Sequence, residues 1–174
     1  MNVVETKVNP LIKNIELALE NNLLYSALSL TLALPDVLSS LEQPNYRGRQ
    51  KYINWCNKYF FTQNHYGNDM KASDIYALRC AYLHSGMDKL SKQSISKIID
   101  KFMFVYSNNG LLVHRNRIYL DNTYTLQLDL STFCKEIIDA AKKFLEINKD
   151  DEAINKNAEE IITIQNVDEG IRVF

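Results

Sequence analysis

The chain has 174 residues, 46% hydrophobic and 24% charged, enough for one sizeable buried core and too few for two full domains. Its 20 basic residues stand against 21 acidic ones, a net charge of -1, which excludes the strongly basic field of a dedicated nucleic-acid binder and confines any contact with RNA to a local patch. Cys56, Cys80 and Cys134 are widely spaced in apolar helical contexts and read as reduced core thiols; with no basic-then-apolar leader and no run near the roughly 18 apolar residues of a span, a cytoplasmic protein without a membrane segment is expected.

From the N-terminus, apolar residues recur at spacings of three and four between Leu11 and Leu32, predicting a helix over Pro10–Leu34 with Pro10 at its first position. Within it, Leu23–Leu34 is apolar or small almost throughout, but twelve residues are too few to cross a bilayer, so a buried core helix is expected. Pro35 should kink or restart the helix, with Asp36 near the positive end of a segment reaching Glu42. After a loop at Gln43–Gly48, a helix to about Phe61 mixes Arg49, Lys51 and Lys58 with Tyr52, Trp55 and Tyr59. It reads either as a basic and aromatic surface for RNA or as a core stripe with solvated lysines; the spacing of Tyr52, Trp55, Cys56 and Tyr59 favours the stripe. Thr62–Lys71 is a polar loop in which His65 has no metal-binding companion at helical or turn spacing.

The segment Asp74–Gly86, D-I-Y-A-L-R-C-A-Y-L-H-S-G, is the one the rest is organised around. Ser73 can cap it, Asp74 suits its positive end, and Gly86 can close it in the left-handed conformation. A helix apolar nearly all round belongs at the centre of the domain. Arg79 cannot lose its proton and needs an acid, a carbonyl or a phosphate within reach, while His84 sits in the last turn, where the dipole favours its charged form. Five residues correspond to about 140° of helical rotation, so the two side chains should not share a face unless the last turn unwinds or a second subunit completes the site.

Beyond Gly86, a polar connection at Met87–Lys97 leads to a short helical turn around Ile95–Ile99. Lys101–Tyr106 and Leu111–Leu120 have strand composition, and Ser107–Gly110 is a turn signal, so a hairpin is expected at about 101–120. His114, Arg115 and Arg117 form a small basic cluster there, either touching phosphate or simply the polar face of a strand. Ser131 is the expected cap of a last strong helix to Asn148, which closes the bundle. Residues 1–148 therefore read as one helical domain with its hairpin, and 149–174 as a tail that is a peripheral helix and strand or is ordered on a partner. Glycine-rich phosphate loops, hydrolase elbows and metal-ligand spacings are missing from the sequence, so no cofactor and no metal are expected.

The R-x4-H pattern of Arg79 and His84 near the end of an apolar helix resembles the signature of the HEPN superfamily. Pro35-Asp36, Lys51-Tyr52 through Trp55 to Lys58-Tyr59, the Y-x-L-R-C-x-x-L-H-x-G run of Tyr76–Gly86, and Phe133-Cys134 together resemble the layout of an uncharacterised bacterial family over roughly residues 23–147. The resemblance implies a mostly α, HEPN-like bundle of four to five helices with a small β-hairpin between the central and last core helices. It also implies a homodimeric, metal-independent endoribonuclease of bacterial defence or stress response, with RNA as its partner. His84 would be the general acid or base and Arg79 the phosphate-binding group, supported by Tyr76, Tyr82 and Asp36; Arg49, Lys51, Lys58, His114, Arg115 and Arg117 are the candidate RNA contacts. Cys80 departs from the polar residue that often follows the arginine in catalytic members. The other reading is a non-catalytic dimerisation or binding module, in which Arg79 pairs with an acid such as Asp36 or Glu42 and His84 closes the helix end.

Overall fold

The structure is a computed structural model in which residues 2–64, 66–67, 69–88, 99–165 and 168 are described. His65, the turn expected around Ile95–Ile99 (Ile99 apart) and the end of the tail lie outside those residues. The described chain is mostly helical, with six α-helices and one three-stranded sheet.

Helix α1 spans Val3–Glu20 and α2 spans Leu24–Glu42, so the single helix expected over Pro10–Leu34 is two. The break falls at Asn21–Leu23: Asn22 takes a left-handed φ of 55°, and the N–H groups of Asn22 and Leu23 bond back to the Leu19 and Ala18 carbonyls at 3.1 and 2.8 Å. Asparagine tolerates that conformation and can close a helix in place of glycine. Neither proline starts a helix, since Pro10 lies inside α1 and Pro35 inside α2. An interior proline costs about 3 kcal/mol. Against this, α2 buries Ala27, Leu28, Leu32, Leu34, Leu38 and Leu41 against α1, α3, α4, α5 and α6. Leucine burial at about 2 kcal/mol each outweighs the proline. Running through Pro35 makes α2 the one helix among the described residues long and apolar enough to cross a membrane, although half of that span is buried inside the protein.

Helix α3, Gly48–Trp55, runs on into a π-helical turn at Cys56–Phe60. The wider turn allows Tyr52, Trp55, Cys56, Tyr59 and Phe60 all to be buried, as the stripe reading required. Helix α4, Ala72–Ser85, is the central segment. Its start is held by Asp74, whose Oδ2 accepts the Lys71 N–H at 2.8 Å; Ser73 is one residue inside and is not the cap. Gly86 ends it at φ 65°.

Strands β1 (Lys101–Val105), β2 (Asn116–Leu120) and β3 (Thr123–Asp129) are ordered β1-β3-β2. The expected hairpin between β1 and β2 does not form: β1 runs parallel to β3, and the hairpin is β2 with β3. Asp121 and Asn122 both have positive φ, 49° and 56°, the two-residue turn whose twist matches that of paired strands. Leu126 and Leu128 alternate inward along β3, so the strand with the buried apolar face takes the centre of the sheet.

Helix α5, Leu130–Asn148, follows β3 directly, capped by Asp129, whose Oδ1 accepts the Thr132 N–H at 2.8 Å; Ser131 again lies one step inside. A short α6, Glu152–Ala158, packs on α1 and α2. Its Asn155 accepts the Val4 N–H at 3.0 Å and its Asn157 donates to the Leu41 carbonyl at 2.8 Å. These two bonds satisfy backbone groups at the start of α1 and the end of α2 that have no partner within their own helices.

Candidate functional site

Helix α4 reaches the site with its apolar residues committed elsewhere. Ile75, Ala77, Leu78 and Ala81 are buried, and Tyr76 meets Tyr52 of α3 edge to face at 5.4 Å. What remains on the α2 side is Arg79. Its Nε donates to Oδ2 of Asp36 at 2.6 Å, with the two side chains 23% and 26% exposed. Asp36 is in place because α2 does not stop at Pro35. Burial disfavours the Arg79 charge, but the hydrogen bond and the attraction of Asp36 outweigh it and hold the guanidinium above its ordinary pKa.

Arg79 Nη1 also lies 3.1 Å from Nε2 of His84. A rotation of about 140° predicts that the two do not meet within one regular helix. They do meet, with the helix intact to Ser85, because the long arginine stem carries its guanidinium away from its own Cα sector. Arginine has donors only, so His84 Nε2 accepts, and the neutral ring carries its proton on Nδ1. Carboxylate, guanidinium and imidazole thus form a chain, Asp36–Arg79–His84, with its histidine end at the exposed surface.

Of the supporting residues, Tyr76 packs beneath the site and Tyr82 reaches away along α2, its hydroxyl donating to the Tyr25 carbonyl at 3.4 Å. Lys51 joins the neighbourhood: its Nζ donates to Ser40 Oγ at 2.7 Å, and Ser40 donates to the Asp36 carbonyl at 2.7 Å. Lys58 pairs with Glu42 and lies 4.9 Å over the Tyr59 ring, and Arg49 is exposed at the start of α3.

Two of the remaining basic residues, His114 and Arg115, gather at a second cluster on α5. His114 precedes β2 and is not on a strand face. Its Nδ1 accepts the Asp129 N–H at 3.2 Å, and its Nε2 lies 3.4 Å from Glu136 and 3.3 Å from the Tyr66 hydroxyl. Arg115, at φ 61°, donates through Nη2 to Glu136 at 2.7 Å and stacks 4.0 Å over the Tyr66 ring. Tyr66 donates to the other Glu136 oxygen. Burial opposes the Glu136 charge, yet hydrogen bonds from His114, Tyr66 and Arg115 overcome it and hold the carboxyl below its ordinary range. Arg117 pairs with Asp69 at 3.3 Å. Glu136 and Tyr66 were not singled out from the sequence; the available signal was an acidic residue flanked by Phe133 and Ile137 on the inner edge of α5.

Among the described residues no group of three or more His, Cys, Asp or Glu side chains is placed to hold a metal ion. Chemically, the Asp36–Arg79–His84 chain offers a fixed cation oriented by a carboxylate beside an imidazole able to exchange protons with solvent. Comparison of the chain with family models, curated proteins and solved structures finds no match.

Proposed function

We propose that the protein is a HEPN-like endoribonuclease that acts without a metal, as a cytoplasmic homodimer in bacterial defence or stress response. The observation that carries this reading is the 3.1 Å approach of Arg79 to His84 at the surface, with Asp36 orienting the guanidinium from behind. A phosphodiester entering at Arg79 gives Nη1 a charged acceptor in place of His84. The released Nε2 then takes the proton of the ribose 2'-hydroxyl, the 2'-oxygen attacks phosphorus, and the bond to the 5'-oxygen breaks, that oxygen taking a proton from solvent while the His84 imidazolium returns its own to solvent, giving a 2',3'-cyclic phosphate and a free 5'-hydroxyl. Arg79 stabilises the charge that builds on the phosphoryl oxygens. Homodimerisation would set two such chains facing one cleft, with Lys51 and Arg49 available to the RNA backbone.

One observation favours the second reading, a non-catalytic dimerisation or binding module: Asp36 already satisfies Arg79 at 2.6 Å. Cleavage of RNA in the presence of a chelator separates the two. The nuclease reading expects cleavage by the native protein, ending in cyclic phosphate, and its loss in folded Arg79→Ala and His84→Ala variants. A native protein that leaves RNA intact sinks it.

A further inference from the structure

The end of α4 borders a cleft of about 710 Å³, within the size range of small-molecule sites. Its walls come from the start of α2 (Leu24, Tyr25, Leu28), from the α4 exit and from the outer edge of β1. Gly86 makes this wall: its φ of 65° turns the chain so that the Asp88 carbonyl accepts the Phe102 N–H at 3.2 Å. Three tyrosines of separate elements, Tyr25, Tyr82 and Tyr106, line the cleft, and folding leaves the first 82% and the last 59% exposed. Large rings left in solvent around a concavity are surfaces held ready for another ring. The charge in the cleft is already cancelled, since Lys101 pairs with Asp88 at 2.8 Å. A neutral flat occupant fits better than a charged one, and Asn22 at the rim offers an amide able to donate to and accept from a base edge.

We propose that this cleft is a subsite for an unpaired nucleobase of the RNA cleaved at Arg79 and His84, and this rests on the nuclease reading above. Tyr82 lies about 4.5 Å along the helix axis from Arg79, and Gly86 about 3 Å beyond His84. Asp36, which holds Arg79, and Tyr25 are eleven residues apart on α2, about 16 Å along its axis, so a few nucleotides of single strand join a phosphate on Arg79 to a base among the tyrosines. Tyr25 and Tyr106 stack the base, Asn22 reads its edge, and the substrate must be single-stranded where it is cut.

The test is equilibrium binding of a five-nucleotide RNA, 2'-O-methylated throughout so that it cannot be cleaved, against an abasic oligomer of the same length and charge. The native protein is expected to bind the base-bearing oligomer roughly tenfold more tightly than the abasic one, and Tyr25→Ala and Tyr106→Ala to lose most of that difference while binding the abasic oligomer unchanged. Equal binding of the two oligomers, no binding of either, or tyrosine variants that keep the preference would overturn the subsite. Chelator-resistant cleavage is scored separately. Base-dependent binding without cleavage ends the nuclease and leaves the subsite, whereas cleavage without base preference does the reverse.

Discussion

The protein builds the same trio of carboxylate, guanidinium and imidazole twice, and the two copies have opposite fates. Around Glu136, the histidine and the acid are 9% and 12% exposed, both imidazole nitrogens are engaged, and the carboxylate accepts from three side chains. Around Asp36, the ion pair is partly exposed and His84 faces solvent. A buried network rigidifies what it joins, here the segment before β2, the segment before α4 and helix α5. A cluster with an exposed proton-exchanging end can act on something outside the protein. Residue type is the same in both; burial separates the two clusters.

Several experiments bear on that contrast, beginning with the strongest effect. His84→Ala should reduce RNA cleavage by about 10²–10⁴-fold, with the urea unfolding midpoint held near that of the native chain. At the buried cluster, Glu136→Ala strands Arg115 and His114 without their acid and should cost about 3 kcal/mol of stability, read as a lower urea midpoint. Asp36→Asn leaves Arg79 partly solvated and should cost only about 1 kcal/mol, its larger signature being a raised KM for RNA as the guanidinium loses its orientation.

Acid titration gives the same contrast a pH axis. Glu136 is depressed in the folded state, so its contribution is present above the ordinary carboxylate range and is lost as pH falls below that range through the folded value. Urea midpoints of the native protein should fall in that acid window, and those of Glu136→Gln should fall less. The smallest effect concerns the thiols. Burial pushes Cys56 well up and Cys134 to about 11, while Cys80 is only half-buried beside Arg79. Native protein should therefore show one thiol that reacts quickly with an aromatic disulfide reagent, lost in Cys80→Ser.

The helices were legible because their apolar spacing is strong: α4, α5 and the buried stripe of α3 all sit where period and composition put them. Boundaries failed where short-range chemistry decided. Asn22 closed a helix in the manner of glycine, and Pro35 was carried through because the burial of α2 outweighs one proline. The sheet was misread because the Ser107–Gly110 turn forms without pairing the strands on either side of it, because the hairpin turn falls instead at Asp121-Asn122, and because parallel pairing of β1 with β3 leaves no local mark. Arg79, His84 and Asp36 could be named from the sequence, and Asp36 was one of the two acids offered to Arg79; the meeting of Arg79 with His84 within one chain was not legible, since it depends on the path of a long side chain. Glu136 and Tyr66 stayed invisible because a network joining residues 66, 114, 115 and 136 has no sequence period.

On the proposal made above, the exposed cluster acts and the buried one braces. The most direct test is to assay His84→Ala and His114→Ala side by side, scoring chelator-resistant RNA cleavage per folded molecule and the urea midpoint on the same samples. His84→Ala is expected to lose cleavage and keep its midpoint, while His114→Ala is expected to keep cleavage and lose stability. The reverse assignment, or a native protein that cleaves no RNA, would contradict the proposal.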